Sequence, residues 1–203
     1  MCRRTSLAPQ IDEGFGVRGQ VVDAMAPEME AARRGAITTK GFELEAQRVA
    51  KLMRDKFDIG FLDVGGWDTH VGEGGAEGYL AGRFDKLGRG LAAFATEMGP
   101  VWRNTVVVAL SEFGRTFREN GNRGTDHGHG SVYWVLGGAV RGGRVAGEQI
   151  QLTQATLFQN RDYPVLNEYR AVLAGLFGRM YGLGAAQQGK VFPGVRARDI
   201  GLV

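Results

Sequence analysis

The sequence predicts an α/β protein in which a mixed, mostly parallel sheet is flanked by helices. Three observations lead to this expectation: a helix-period apolar stripe over residues 79–98, a continuously apolar β-branched run over 105–110, and a shorter apolar run over 132–136. Continuous apolar runs are typical of strands buried on both faces of a parallel sheet, and a single stripe is typical of a helix packed on one face. Alternation of such segments is the pattern of α/β folds.

The N-terminal part of the chain contains two predicted helices and one predicted strand. Residues 1–40 carry mixed charge with weak periodicity, and we interpret them as a poorly defined N-terminal segment before a folded portion over 41–203. Within that segment, residues 25–34 are predicted to form a short helix. Residues 42–57 place apolar side chains on one face and predict a second helix, and the apolar run 59–64 predicts a strand.

The rest of the chain continues the alternation. The helix predicted over 79–98 has apolar side chains at alternating steps of four and three residues, and Gly99-Pro100 ends the pattern. The predicted strands 105–110 and 132–136 are separated by a glycine-rich loop over 114–130. A last helix is predicted over 167–182, where the apolar residues again share one face.

The composition is that of an ordinary globular protein. Of the 203 residues, 43% are hydrophobic and 23% are charged, and 25 basic residues nearly balance 22 acidic ones. The basic residues form no stripe or run, so we expect no nucleic-acid partner. No apolar stretch approaches about 18 residues, the length at which a run becomes a candidate membrane helix, so we expect no membrane span.

All three histidines of the chain lie in two short clusters that combine imidazole with a carboxylate and glycine. One cluster is Trp67-Asp68-Thr69-His70, and the other is Thr125-Asp126-His127-Gly128-His129-Gly130. Each follows a predicted strand, and ligand sites of open α/β sheets lie beyond the carboxyl ends of strands. Imidazole nitrogens and carboxylate oxygens are donors that zinc and related divalent metals use.

These residue types predict a divalent metal site. Candidate ligands are the side chains that carry such a donor in one of the two clusters: Asp68, His70, Asp126, His127 and His129. Glu112 is a further candidate, as an oxygen ligand or as a hydrogen-bond partner of an imidazole, and Arg115 is suited to clamp an anionic oxygen. The alternatives are that Asp68 and His70 form only a solvated hydrogen-bonded pair, that the cluster 125–130 is only a hydrogen-bonded loop, and that Glu112 is an ordinary strand-end carboxylate.

Two other chemistries fit the sequence less well. Ser111 and Ser131 do not lie in the Gly-x-Ser-x-Gly turn that presents a nucleophilic serine. The glycine-rich segments lack the Gly-x-Gly-x-x-Gly spacing of dinucleotide-binding turns. Thr69, between two candidate ligands, is a weaker candidate for a nucleophile, because a threonine in that position more commonly caps a turn.

At these motifs the sequence resembles a bacterial family catalogued as domain of unknown function fifteen-hundred-and-one, whose members are often labelled sulfatase-like. The resemblance covers about residues 45–182. The segments that carry it occur in the order Gly66-Trp67-Asp68-Thr69-His70, Ser111-Glu112-Phe113-Gly114-Arg115-Thr116, Glu119-Asn120-Gly121, Gly124-Thr125-Asp126-His127-Gly128, Gly137-Gly138, Arg141-Gly142-Gly143 and Glu168-Tyr169-Arg170-Ala171-Val172-Leu173.

The resemblance implies a partial alkaline-phosphatase-like sandwich over 41–203, because that family is thought similar in fold to alkaline phosphatases and sulfatases. In that superfamily Asp68 and His70 would be the first pair of metal ligands. One alignment then places Glu112 where the superfamily has Asp and Phe113 where it has a ligating His, with His127 or His129 as the downstream His. A competing alignment lays 125–128 directly on the superfamily's Asp-His-Gly motif.

The implied function is metal-dependent hydrolysis of a small anionic phosphate or sulfate ester, with zinc favoured and manganese or calcium as alternatives. We expect the site to be incomplete, because the resemblance places the nucleophile in an N-terminal region that the chain lacks. The alternative is a non-catalytic metal-stabilised binding or scaffold domain. The resemblance implies export to the periplasm, although Arg3-Arg4 is not followed by an apolar signal. A chain complete as given would be expected in the cytoplasm.

Overall fold

The computed structural model describes residues 8–33 and 41–203, so Arg3-Arg4 and residue 34 of the predicted helix 25–34 lie outside the described part. The chain divides into two compact units. The first contains the described residues up to 65 together with 84–99, and the second contains 66–83 and 100–203.

Five α-helices are present in the described residues. They are α1 (Ala8–Arg33), α2 (Phe42–Asp55), α3 (Tyr79–Met98), α4 (Tyr169–Tyr181) and α5 (Ala185–Val191). Short 3-10 helices cover Gly99–Asn104 and Gln154–Thr156. The helices predicted over 42–57, 79–98 and 167–182 are therefore confirmed to within three residues at each end. None of the described helices combines the length and the apolar character needed to cross a membrane.

Helix α1 is much longer than the short helix predicted from the sequence. It runs for 26 residues and contains Pro27 in its interior. Apolar periodicity is the main sequence signal for a helix, and α1 has almost none of it, because glycine and charged residues interrupt every possible stripe. The sequence therefore contains no signal for the full length of this helix, because the helix has no apolar face.

The strands contradict the predicted fold class. Strand β1 (Val107–Ala109) pairs with β4 (Trp134–Leu136), and β2 (Gly114–Arg115) pairs with β3 (His127–Gly128). Both pairs are antiparallel, and the register of the first sets Val108 opposite Val135. The described residues thus contain two small antiparallel sheets rather than a mostly parallel sheet between helices, and the alkaline-phosphatase-like sandwich is wrong for this structure.

The physical reason is that an apolar run indicates a strand but not its partner or its burial. The run 105–110 does form β1, but its three strand residues are only half-buried rather than covered on both faces. The run 59–64 forms no strand, and Phe61 within it is 88% exposed. The β2–β3 hairpin lies between β1 and β4 in the chain, and β4 then returns beside β1 in the antiparallel direction.

In the first unit, α2 packs against the C-terminal part of α3. Ala46 and Ala50 are buried on α2, and Phe94 and Met98 are buried on α3. Gly90 on α3 leaves room for the Phe42 ring, which a Cβ at that position would contact closely. Apolar burial of this kind contributes about 25 cal/mol per Å² of area removed from water and accounts for the agreement between the apolar stripes and the observed helices.

In the second unit, a hairpin built from β2 and β3 carries two of the candidate site residues. Arg115 on β2 lies directly opposite His127 on β3. The turn between the strands is held by Asn120, whose side-chain oxygen accepts hydrogen bonds from the backbone N–H groups of Asn122 and Gly124 at 2.9 and 3.1 Å. This arrangement brings a cation and an imidazole to one end of the hairpin.

Candidate metal centre

Three candidate ligands converge in the second unit. One donor atom from each of Asp68, His70 and His127 lies within 4.8 Å of the other two. The Oδ1 atom of Asp68 lies 2.9 Å from the Nε2 atom of His70 and 2.7 Å from the Nε2 atom of His127. Two imidazoles and one carboxylate, each partly exposed, form a donor set typical of zinc sites that keep an open position.

The loop that carries Asp68 and His70 is fixed to the loop that precedes His127. The backbone N–H of Thr125 donates to the carbonyl of Thr69 at 3.1 Å, and Gly72 donates to the carbonyl of Asn122 at 3.0 Å. Gly124 is required at this contact, because a Cβ there would press against the carbonyl group of His70. Backbone pairing between the two loops therefore sets the separation of the candidate ligands.

Asp126 holds the other ring nitrogen of His70. Its Oδ1 atom lies 3.1 Å from Nδ1 of His70 and accepts a hydrogen bond of 2.9 Å from the Asn120 side-chain amide. These two contacts, with the Asn120 bond the larger influence, lower the pKa of the Asp126 carboxyl. A carboxylate on the outer nitrogen of an imidazole is the usual partner of a metal-ligating histidine, because it fixes the tautomer and the ring orientation.

Arg115 directs all of its described hydrogen bonds to Asp68 and Thr125. Its Nη1 atom donates to Oδ1 of Asp68 at 2.6 Å, its Nε atom donates to Oγ1 of Thr125 at 2.8 Å, and its Nη2 atom donates to the carbonyl of Thr125. Although desolvation acts to raise it, the pKa of the Asp68 carboxyl is lowered by the hydrogen bonds from Arg115 and His127. Arg115 therefore neutralises a candidate ligand in this arrangement.

Glu73 connects the two loops through their threonines. Its Oε2 atom accepts hydrogen bonds from the hydroxyls of Thr69 and Thr125, each at 2.8 Å. Thr69 is almost fully buried, and Thr125 is also the acceptor for Arg115. We did not identify Glu73 from the sequence, because a single acidic residue among glycines gives no signal of contact with a loop 52 positions away.

Phe113 packs against the centre rather than standing apart from it. Its ring stacks on the His127 imidazole, with the ring centroids 4.2 Å apart and the planes inclined by 20°. The His70 and His127 rings lie 4.9 Å apart. Phe113 thus restrains the orientation of a candidate ligand while contributing no donor atom.

His129 lies against a different carboxylate from the other two histidines. Its Nδ1 atom is 2.6 Å from Oδ2 of Asp162, which is fully buried and also accepts hydrogen bonds from Arg161 at 2.8 and 3.1 Å. The Arg161 bond is the larger cause of the lowered pKa of the Asp162 carboxyl, and His129 adds to it. We missed Asp162 and Arg161 in the sequence because they lie in a segment without any motif.

The structure thus separates the predicted site residues into groups. Asp68, His70 and His127 come together, and Asp126 and Arg115 contact them directly. His129 pairs with Asp162. Glu112 is exposed, and among the described residues no hydrogen bond or ion pair joins it to the centre; after burial and Tyr169, it adds to the raised pKa of the Tyr133 hydroxyl.

The described part of the chain is thus a helix-rich protein with two small antiparallel sheets and a candidate metal centre between the β2–β3 hairpin and the loop that carries Asp68 and His70. The chain belongs to the family described as "Protein of unknown function (DUF1501)", whose sequence model matches residues 1–195. The family resemblance is therefore confirmed. No curated protein and no solved structure matches the chain, and the comparisons give no link to sulfatases or to alkaline phosphatases.

Proposed function

We propose that this protein binds a divalent metal ion, with zinc favoured and manganese or calcium as alternatives, through Asp68, His70 and His127. The observation that carries the proposal is the convergence of their three donor atoms within 4.8 Å from two segments far apart in the sequence, one with Asp68 and His70 and the other with His127. The contact between Asp126 and the outer nitrogen of His70 supports it, because metal-ligating histidines commonly have such a partner.

We further propose that the centre hydrolyses phosphate or sulfate esters. The side chains of Asp68 and His127 are 50% and 53% exposed, so a small anionic ester can reach them from solvent. A bound divalent metal supplies polarisation of an ester oxygen and a lowered pKa of a bound water. The residues of the chain hold the ligands in place: Asp126 orients His70, and Phe113 restrains His127.

A second candidate function is a metal-stabilised binding or scaffold domain without catalysis. The observation that favours it is the environment of the hydroxyls closest in sequence to the ligands. Thr69 and Thr125 both donate their hydroxyl protons to Glu73, which gives them a structural role in joining two loops. Under this alternative the metal raises the melting temperature, as any ligand selective for the native state does, and no ester is turned over.

The metal centre is tested by plasma mass spectrometry of the purified chain beside three single variants. We expect about one equivalent of metal in the wild type and its loss in His70→Ala and His127→Ala. His129→Ala is the matched control, since its side chain is 51% exposed, close to the 53% of His127, and contacts Asp162 instead. Retention of metal by His127→Ala, or its loss in His129→Ala, would contradict this ligand set.

Catalysis is tested separately on the metal-loaded protein with aryl phosphate and aryl sulfate esters. Turnover that requires both metal and His127 supports the hydrolase. Metal binding that raises the melting temperature, with no turnover of either ester, supports the scaffold alternative instead. Absence of metal after reconstitution contradicts both.

A further inference from the structure

Arg83 on α3 lies against the loop that carries Asp68 and His70. The carbon at the centre of its guanidinium is 5.5 Å from the centroid of the Trp67 ring, in a cation–π arrangement. The guanidinium also covers Gly66, where a Cβ would lie 2.6 Å from Nη2 of Arg83. One turn earlier on the same helix, the Tyr79 hydroxyl donates to the carbonyl of Gly66 at 3.1 Å. Two side chains of α3, Tyr79 and Arg83, thus contact this loop, and the loop in turn fixes the position of the Arg83 guanidinium.

The guanidinium of Arg83 has no hydrogen-bond or ion-pair partner within residues 8–33 and 41–203. Its Nε atom is the one buried side-chain nitrogen or oxygen in the described residues that has no hydrogen bond. No described carboxylate pairs with Arg83, in contrast to Arg115 and Arg161, which donate to Asp68 and Asp162. A buried donor without a partner is costly, because it has left water without gaining a hydrogen bond, and such groups are rare in native structures.

We propose that Arg83 binds the anionic oxygens of the substrate beside the metal centre, and this inference rests on the proposed function. A guanidinium presents parallel N–H donors that match the geometry of phosphate and sulfate oxygens. Arg83 is held by the residue immediately before the candidate ligand Asp68, so an anion on Arg83 lies next to that ligand's loop. Arg115 cannot serve in the same way without giving up its bonds to Asp68 and Thr125.

The proposed anion site is tested by calorimetric titration of inorganic phosphate and of inorganic sulfate into the metal-loaded protein. For Arg83→Gln we expect binding weaker by about tenfold or more, because a hydrogen bond to a charged group is lost. Arg83→Lys keeps the charge without the planar fork, and we expect an intermediate affinity. The matched control is Arg196→Gln, which removes the same charge at an exposed residue outside the described site contacts.

The outcomes separate this inference from the metal centre. If the wild type takes up metal and Arg83→Gln binds both anions as tightly as the wild type, the role of Arg83 is overturned and the metal centre stands. If the wild type takes up no metal, the proposed function fails, and the same titrations on the metal-free protein still decide the role of Arg83. Anion binding that is absent in the wild type, or equally weakened by Arg196→Gln, overturns the inference. Should Arg83→Gln not fold, Arg83→Lys is compared with the wild type alone: weaker binding of the anions supports the inference, and an affinity equal to that of the wild type overturns it.

Discussion

The Nε2 atom of His127 lies 2.7 Å from the Oδ1 atom of Asp68, although the two residues are 59 positions apart. This contact exists because His127 lies on the β2–β3 hairpin, and the backbone N–H of Thr125, two residues earlier, donates to the carbonyl of Thr69 and holds the two segments together. The candidate centre is therefore a product of loop pairing, and its integrity depends on residues that contribute no donor atom.

Replacement of Asp126 by asparagine is expected to weaken metal binding without abolishing it. The substitution keeps the shape of the side chain but removes the carboxylate that faces Nδ1 of His70. Loss of such an outer partner typically lowers metal affinity by about 10- to 100-fold. The measurement is a competition titration against a chelating dye, with Asp55→Asn as a control at an exposed aspartate on α2. An unchanged affinity in Asp126→Asn would show that His70 needs no outer partner.

Glu73→Ala is expected to lower the free energy of unfolding by about 1–3 kcal/mol, because two threonine hydroxyls lose their acceptor. Glu73→Gln keeps an acceptor oxygen and should lose less. Urea denaturation of both variants in the absence of metal measures this effect directly. Equal stability of the wild type and Glu73→Ala would mean that the carboxylate does not join the two loops.

Gly124→Ala is expected to separate the two ligand-bearing loops. A Cβ at this position would overlap the backbone of Thr69 and His70, and overpacking of this kind commonly costs about 1–3 kcal/mol. Gly121→Ala is the matched control in the same turn, since a Cβ there meets no atom within 4 Å. We expect Gly124→Ala to lose both stability and metal affinity in parallel, whereas Gly121→Ala should retain both. Similar behaviour of the two variants in thermal melts would refute the close-contact explanation.

Stability in acid is expected to depend on Asp162. Its folded-state pKa lies below the ordinary aspartate value because Arg161 and then His129 stabilise the ionised carboxyl. The resulting stabilisation is fully present above the unfolded-state pKa of about 3.9 and is lost as pH falls through the lower folded-state pKa. The difference in unfolding free energy between wild type and Asp162→Asn should therefore shrink as pH is lowered from 5 towards 2. A difference that is constant over that range in urea titrations would exclude this linkage.

The sequence predicted the amphipathic helices well, because burial of one face imposes a period that can be read from residue order. The stripe over 79–98 gives the bounds of α3 as observed, and that over 42–57 gives α2 to within two residues. Helix α1 lacks such a stripe, and so its length could not be predicted. The prediction of a mostly parallel sheet was wrong for a different reason. The choice between parallel and antiparallel pairing depends on the path of the chain between strands, and apolar runs do not encode that path.

The candidate site was predicted in part. Clustering of histidine with aspartate singled out the two segments whose side chains Asp68, His70 and His127 converge in the structure, because scarce residue types leave few alternatives. It could not separate His127 from His129, since that separation depends on the buried carboxylate of Asp162, 33 positions further on. The buried Nε atom of Arg83, which has no hydrogen-bond partner among the described residues, could not be predicted either, because tertiary contacts decide whether an arginine on a helix finds a partner.

The Oδ1 atom of Asp68 contacts the side chains of His70, His127 and Arg115 at the same time. The changes in unfolding free energy caused by substitutions at these three positions should therefore be strongly coupled. Once one of the three side chains has been removed, the other two can rearrange around the same oxygen atom. A double-mutant cycle on any pair should show a non-zero interaction energy. Because the three side chains share one acceptor, a single substitution among them is costly over evolutionary time, and joint replacement is favoured. Asp68 and its three partners should therefore vary as a group among related chains.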